Sequence, residues 1–149
     1  MKLQGTQNLN CPAERAWELL MDPEVLAACI PGCESLTRNA EDAFSAIVTM
    51  KVGPVKARFN GDVQLSGLNP PHSCRIKGKG SGGLAGFAEG GAFISLTEQD
   101  GVTQLDYDAD AQVGGKLAQL GSRLIDSTAR KLALEFFEKL ETEISRRLG

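Results

Sequence analysis

The sequence has few of the residues from which most active sites are built. Its 149 residues contain one histidine, four cysteines without a Cys-x-x-Cys pair, and no uninterrupted apolar run of about 18 residues, the length that indicates a membrane-spanning helix. Residues 1–5 lack the apolar core of a signal peptide. We therefore expect a cytoplasmic protein with reduced thiols.

Positive charge and aromatic residues are also scarce. The 16 basic and 19 acidic side chains give a net charge of −3, whereas nucleic-acid binding needs clustered positive charge, so nucleic acid is not expected as the main partner. Aromatic residues make up 5% of the chain, and alanine and glycine are frequent in segments that resemble strands. Such an interior could admit an apolar guest, or it could simply let a helix and a sheet approach closely.

The last third of the chain has the period of an amphipathic helix. Apolar residues recur three or four positions apart from Leu117 to Ile144, which predicts one helix of about 33 residues, roughly 50 Å long, ending at Leu148. Acid-first pairs such as Glu135 and Lys139 support a solvated opposite face. No second helix of this length is indicated, so a broad, curved sheet must cover the apolar stripe.

Shorter elements precede that helix. Alternation over residues 2–10 predicts a strand, and Pro12 and Pro23 mark the starts of two short helices. Period-two patterns then predict about six antiparallel strands in a meander between residues 34 and 113. The expected fold is α+β: one domain over residues 1–149, with a sheet of six to seven strands curled around the C-terminal helix and the short helices closing one end. We expect this helix-grip, START-like arrangement to enclose an apolar cavity.

Glycines are concentrated from Gly78 to Gly91, which predicts a hairpin turn with β-bulges. Leu84 and Phe87 fall near the tip of that hairpin. They either project outward as an apolar contact for a membrane or partner, with Lys77 and Lys79 near anionic head groups, or fold inward onto the core.

Catalytic chemistry has few candidates. His72 lies in a Pro-Pro-His turn, and Cys29 and Cys33 flank Ile-Pro-Gly and so do not share a helical face. We expect the cysteines to be small buried side chains, with no metal site and no cofactor. A cavity-based enzyme of cyclase or hydrolase type is the alternative, and it would depend on Glu89, Tyr107 or Arg123.

Three segments resemble the family of the G subunit of carbon monoxide dehydrogenase. They are residues 10–26 together with 29–33, residues 83–90 (GLAGFAEG) and residues 113–125 (VGGKLAQLGSRLI). The resemblance implies a START-like ligand-cavity fold and a non-enzymatic accessory protein of a molybdenum hydroxylase of the carbon monoxide dehydrogenase type. Such a protein would bind a lipid or quinone-like molecule and assist maturation of the enzyme or its recruitment to the inner face of the cytoplasmic membrane.

The expected cavity lies beside the start of the long helix, with the second half of that helix supplying stability. Its lining should come from the short helices, the inward strand positions and the first helical turns: Trp17, Leu20, Leu26, Phe59, Phe87, Ile94, Tyr107, Leu117, Leu120 and Leu124.

Overall fold

A computed structural model describes residues 1–148 of the protein. The elements in chain order are β1 (Lys2–Leu9), α1 (Ala13–Leu20), α2 (Pro23–Cys29), β2 (Cys33–Ala40), β3 (Ala43–Val52), β4 (Val55–Asn69), β5 (Ser73–Ser81), β6 (Phe87–Gln99), β7 (Val102–Gly114) and α3 (Ser122–Leu148). Two 3₁₀ turns, Gly83–Ala85 and Ala118–Leu120, lie before β6 and α3.

The strands form one antiparallel sheet in the order β1-β7-β6-β5-β4-β3-β2. Strands β2 to β7 are a meander, and the N-terminal strand crosses to the far edge, where Lys2 pairs with Asp110 and Leu9 with Thr103. The predicted α+β architecture is confirmed, with seven strands in the sheet and the long helix at the C-terminus.

The two short helices start where local chemistry predicts. The carboxylate of Asp22 caps α2 by accepting a hydrogen bond from the amide of Glu24 at 2.9 Å, and Pro23 occupies the first turn. The first amide of α1, at Ala13, donates to the carboxylate of Glu98 at 2.7 Å. That bond ties α1 to the end of β6.

Buried apolar residues such as Phe44, Val52 and Leu65 lie on β3 and β4, and the main hydrophobic cluster lies where the second half of α3 meets α1, α2, β1, β6 and β7. It consists of Leu9, Cys11, Ala16, Leu19, Val25, Cys29, Leu96, Leu105, Phe137, Leu140 and Ile144. Burying a side chain such as Leu140, which is 1% exposed, contributes about 1.5–3 kcal/mol. The second half of α3 therefore holds the sheet and the short helices together.

Ionic contacts join the C-terminal end of α3 to α2. Glu143 is only 5% exposed, and Arg147 lies 3.3 Å from its carboxylate and 3.8 Å from those of Asp22 and Glu24. Because Arg147 bridges all three acids, the end of the helix is fixed against the start of α2.

The start of the long helix differs from the prediction. The α-helix has 27 residues and begins at Ser122, because Gly121 has φ +92° and ends the preceding 3₁₀ turn. Residues 115–121 instead fold against the β5–β6 hairpin, where the amide of Leu117 donates to the carbonyl of Ala85 at 3.0 Å. The three-residue spacing of Leu117 and Leu120 fits an α-helix and also a 3₁₀ turn, which likewise places both side chains on one side. The apolar repeat therefore could not distinguish the two.

The prediction of bulges in the glycine-rich run was wrong. Strand β5 pairs with β6 without a shift from Ser73 opposite Ser95 to Ser81 opposite Phe87, and β6 pairs with β7 equally regularly. The register shifts occur in β2–β3 and between Ser66 and Asn69 in β4–β5. The glycines therefore reduce side-chain volume along regular strands.

Candidate functional site

The inner face of the sheet, which faces α3, carries many small residues, interspersed with larger apolar ones such as Phe59, Val63 and Ile76. On β4 to β7 the small residues are Ala57, Gly61, Gly78, Gly80, Ala88, Gly90, Ala92, Ala109 and Ala111. Each is half-buried. We call the space between these positions and residues 122–133 of α3 the inner groove.

The first half of α3 also leaves this space incompletely filled. Its apolar side chains Leu124, Ile125 and Leu132 are half-buried, whereas Leu140 and Ile144 in the second half are buried. The helix starts beside the β3–β4 turn, at the ends of those two strands, since a Cβ added at Gly53 would lie 2.7 Å from the Leu124 side chain. The inner groove thus lies toward the N-terminal end of α3.

Most of the predicted cavity residues lie on the inner side. Trp17, Leu20, Ile94 and Tyr107 are partly buried against the core cluster. Leu26, Phe59, Leu120 and Leu124 are half-buried, and Leu117 is buried. These residues form two groups: the first surrounds the core end of the groove, and Phe59, Leu117, Leu120 and Leu124 lie toward its open end.

Phe87 does not line the groove. It pairs with Ser81 and Gly114 on the outer face of the sheet and is 48% exposed, with its ring against Gly114. Strand β6 begins at this residue, so alternation along the strand places Ala88 inward and Phe87 outward. Its placement as a cavity residue is corrected on this ground.

Tyr107 provides a polar group on the inner side. Its ring stacks on Phe137 with centroids 5.5 Å apart and an interplanar angle of 22°. Gly5 makes room for it, since a Cβ there would lie 2.4 Å from the hydroxyl oxygen. The hydroxyl of this half-buried residue therefore lies on the inner side over β1.

The β5–β6 hairpin tip projects an apolar side chain into solvent. Leu84 is 89% exposed, while its neighbour Ala85 is buried. The tip is fixed by Gly86, whose φ of +117° suits glycine and whose added Cβ would lie 2.2 Å from the carbonyl oxygen of Gly114. Leu84 and Phe87 therefore take the outward alternative. Lys79 lies on the same face as Phe87, two residues before Ser81, the residue that pairs with Phe87.

The residues considered for catalysis do not converge. Glu89 and Arg123 are exposed, His72 is exposed in its turn, and Tyr107 alone of the three enzyme candidates lies inside. Burial raises the pKa of the Cys11 and Cys74 thiols, and that of Cys29 to about 11, so these thiols are poor nucleophiles. Residues 1–148 contain no group of three His, Cys, Asp or Glu side chains able to hold a metal ion.

Sequence reasoning missed a second concave surface, on the outer face of the sheet. A groove of about 1150 Å³ runs over β4 to β7, and its walls include Arg75, Lys77, Lys79, Asp108 and Asp110. The signal was present in the sequence, since basic residues alternate along β5 and acidic residues along β7. Of these residues only Lys77 and Lys79 were given a role, as a contact for anionic head groups, and the acidic row was given none.

Residues 5–145 match the family model described as the G subunit of carbon monoxide dehydrogenase (CoxG). The chain belongs to the CoxG family. The resemblance of the three sequence segments is thereby confirmed, and nearly the whole domain lies within the match. No curated protein matches the sequence.

Solved structures support the same fold for this CoxG-family chain. A conserved protein from Geobacillus kaustophilus is 34% identical with a TM-score of 0.92, covering 98% of this chain and 96% of that one. A START superfamily protein from Mycobacterium smegmatis has a TM-score of 0.75 at 13% identity, covering 97% of each chain. An aromatase/cyclase, Zhui, from Streptomyces sp. R1128 has a TM-score of 0.71 at 15% identity, covering 100% of this chain and 96% of that one. At this low identity the last two likenesses show the START-like fold alone.

Over residues 1–148 of this CoxG-family chain, no helix is both long enough and apolar enough to cross a membrane.

Proposed function

We propose that this CoxG-family protein is a non-enzymatic accessory protein that holds an apolar ligand, such as a lipid or a quinone-like molecule, in the inner groove. The observation that carries the proposal is the half-buried row of alanines and glycines facing the first half of α3. In a tightly packed domain, positions beneath a helix are filled to crystal-like density. A row that stays partly accessible there provides space for a guest.

The polarity of the groove supports an apolar guest with one polar end. Ala92, Ile94, Leu120 and Leu124 supply apolar surface, and the hydroxyl of Tyr107 is a hydrogen-bonding group near the core end. Binding sites for small molecules usually combine an apolar lining with few polar groups. A quinone-like head or a lipid carbonyl oxygen could accept a hydrogen bond from that hydroxyl.

Native mass spectrometry of gently purified protein tests ligand binding. We expect a co-purifying apolar molecule in the wild type and its loss in Ala111→Leu, which adds volume on the inner face beside Gly90. Ala28→Leu, the same change at an exposed position of α2, should retain the molecule. If the wild type carries no apolar molecule and takes up none from a lipid extract, the ligand proposal is wrong.

The exposed tip supports a second element of the proposal, a peripheral contact with the inner face of the cytoplasmic membrane. Leu84 would enter the head-group region beside Phe87, while Lys77 and Lys79 would face anionic lipid. Leu84→Asp should reduce co-sedimentation with vesicles containing anionic lipid, and Leu134→Asp, at an exposed position of α3, should not. Equal sedimentation of both variants and the wild type would remove this contact.

The proposed protein partner is a molybdenum hydroxylase of the carbon monoxide dehydrogenase type. Support comes from the family description, which names a component of that enzyme. Co-expression followed by affinity purification at low and high salt tests the association, and the membrane fraction of the hydroxylase with and without this protein tests recruitment. Absence of association at every salt concentration would exclude this partner.

An enzyme using the same groove is the second candidate, favoured by the inward hydroxyl of Tyr107. Zhui, which shares the fold, is described as an aromatase/cyclase. Turnover of a bound polyketide-like or ester substrate that disappears in Tyr107→Phe, with ligand binding retained, would support an enzymatic role against the accessory role.

A further inference from the structure

The outer groove carries charge in two opposed rows. Strand β5 presents Arg75 and Lys77 outward, and strand β7 presents Asp108 and Asp110 outward. Strand β6 lies between them, with Phe93 level with Arg75 and Asp108, and Gly91 level with Lys77 and Asp110. A basic row and an acidic row therefore lie about 10 Å apart, two strand spacings, on either side of a strand that has no charge at these two levels.

These charges are largely unpaired within the chain. Over residues 1–148, Arg75, Lys77 and Asp108 have no oppositely charged group within 4.0 Å, and Asp110 has only the N-terminal ammonium at 3.7 Å. Gly91 leaves the floor between the rows open. Arg75 is ordered over the ring of Phe93, at 5.2 Å from the ring centroid, and Phe93 is itself 39% exposed.

We propose that the outer groove is a self-complementary interface that binds a second copy of this chain about a two-fold axis parallel to β6. Rotation by half a turn about that axis turns one sheet face onto the other and exchanges the β5 and β7 sides. The basic row of each copy then faces the acidic row of its partner. Such a patch, complementary to itself, is the condition for a closed two-fold dimer.

The strand register predicts which groups meet. Arg75 of one copy faces Asp108 of the other, and Lys77 faces Asp110, each pair occurring twice. The two Phe93 rings meet near the axis, each with its own Arg75 alongside, and the open floor at Gly91 accommodates the long basic side chains of the opposite copy. Glu89 of one copy faces Glu89 of the other, and the repulsion between these two carboxylates must be offset by Lys79, which pairs with Glu89 across β5 and β6.

The size of the surface predicts a weak dimer. The outer groove is lined by 21 residues per copy, seven of which (Phe44, Val63, Ile76, Gly78, Gly90, Ala92 and Ala111) point inward. The side chains that can contact a second copy are therefore fewer than the roughly 20–30 residues of an interface of standard size. We therefore expect dissociation in the micromolar range and strong weakening by salt, because the contacting charges lie on an exposed face. The proposal is independent of ligand binding in the inner groove. Because it uses Lys77 and Lys79, the dimer and the membrane contact of these two side chains exclude each other.

Sedimentation velocity over roughly 1–500 µM protein, at about 20 mM and about 0.5 M salt, tests the dimer. The wild type should dimerise at low salt and dissociate at high salt. Arg75→Glu and Asp108→Arg should each weaken self-association at least tenfold, because like charges then face each other twice. Arg130→Glu, an equal charge reversal on the exposed side of α3, should leave the dimer unchanged.

Combining the two charge-reversal variants is the most specific test of the predicted pairing between Arg75 and Asp108. A mixture of Arg75→Glu chains and Asp108→Arg chains should form a heterodimer, since every facing pair is again opposite in sign, and the double variant should recover the homodimer. Circular dichroism melts confirm that each variant is folded. The proposal is wrong if the wild type is monomeric at all concentrations, or if Arg75→Glu and Arg130→Glu affect the dimer alike. If the wild type is always monomeric and Arg75→Glu loses association with the hydroxylase, this face binds the enzyme and not a second copy.

Discussion

The rings of Tyr107 and Phe137 stack at 5.5 Å across the boundary between β7 and α3. Phe137 also packs edge-on against Phe136, with ring centroids 5.3 Å apart. Three aromatic rings therefore connect β7 with α3. The pair of Tyr107 and Phe137 marks the position along α3 where close packing begins. Toward Leu148 the helix is in the core, and toward Ser122 it borders the inner groove.

Shortening the side chain of Phe137 should strongly reduce the stability of the fold. Phe137 is 9% exposed, and Phe137→Ala should lower the free energy of unfolding by about 3–5 kcal/mol through lost burial and a residual cavity. Leu134→Ala, one turn earlier and 54% exposed, should change it by no more than about 0.5 kcal/mol. Urea unfolding followed by circular dichroism measures both, and equal effects would contradict this division of the helix.

The β5–β6 hairpin tip should tolerate replacement of Gly83 by alanine far better than replacement of Gly86. At Gly86 a Cβ would lie 2.2 Å from the Gly114 carbonyl oxygen, whereas at Gly83 nothing lies within 4 Å. Gly83→Ala therefore costs only the strain of its positive φ, about 1–2 kcal/mol, and Gly86→Ala should cost clearly more. Thermal melting of the two variants decides the order, and a smaller loss for Gly86→Ala would show that the tip can move away from β7.

Thiol reactivity should separate the four cysteines. Cys11, Cys29 and Cys74 are buried, and Cys33 is half-buried; burial raises the pKa of all four thiols. At about pH 8 a thiol reagent should label Cys33 first, and Cys33→Ser should abolish the early phase. Early labelling of a second thiol would indicate that the core opens more readily than its packing implies.

The Cys29 thiol also makes stability depend on alkaline pH. Its pKa is raised from 9.0 to about 11, chiefly by burial, so between these values the thiol ionises in the unfolded chain and stays neutral in the folded one. The associated stability is present below pH 9 and is lost as pH rises toward 11, by about 2–3 kcal/mol. Cys29→Ala should show a shallower alkaline loss in denaturant titrations, whatever its stability at neutral pH.

The carboxylates of Glu34 and Asp106 each accept a hydrogen bond from a different threonine, so removing one threonine hydroxyl should change the pKa of only one of them. The hydroxyl of Thr49 donates to Glu34 at 2.7 Å and that of Thr6 to Asp106 at 2.6 Å, and these hydrogen bonds are the main cause of the lowered pKa of each acid. Both acids favour the folded state above their unfolded pKa, a contribution lost as pH falls through the lowered values. In an NMR titration, Thr49→Val should raise the pKa of Glu34 and leave that of Asp106 unchanged.

Much of the fold could be predicted because local and global preferences agree. The alternation of Val55, Ala57 and Phe59 with Lys56 and Arg58 predicted β4, since a strand with one wet face has this period. Pro23 after Asp22 likewise predicted the start of α2. In each case one short segment contains both the signal and its cause.

The errors occurred where tertiary contacts decide. The start of α3 depends on Leu117 bonding to Ala85 across the hairpin, which no repeat within residues 113–125 reveals. The side of the sheet that Phe87 occupies depends on the register of β6 with β5 and β7. The outer groove was missed because its two charged rows are separated by more than 20 residues of sequence and become neighbours only in the folded sheet.

The pairing of β1 with β7 also imposes an order on biosynthesis. Lys2 is made more than 100 residues before its partner Asp110, so at about 5–20 residues per second the first strand waits some 5–20 s for its neighbour. A waiting strand exposes unpaired backbone that can recruit other chains. Gln4, Thr6 and Asn8 alternate along β1 and Gly5 lowers its strand propensity, so the nascent segment resists premature pairing until the last strand arrives to receive it.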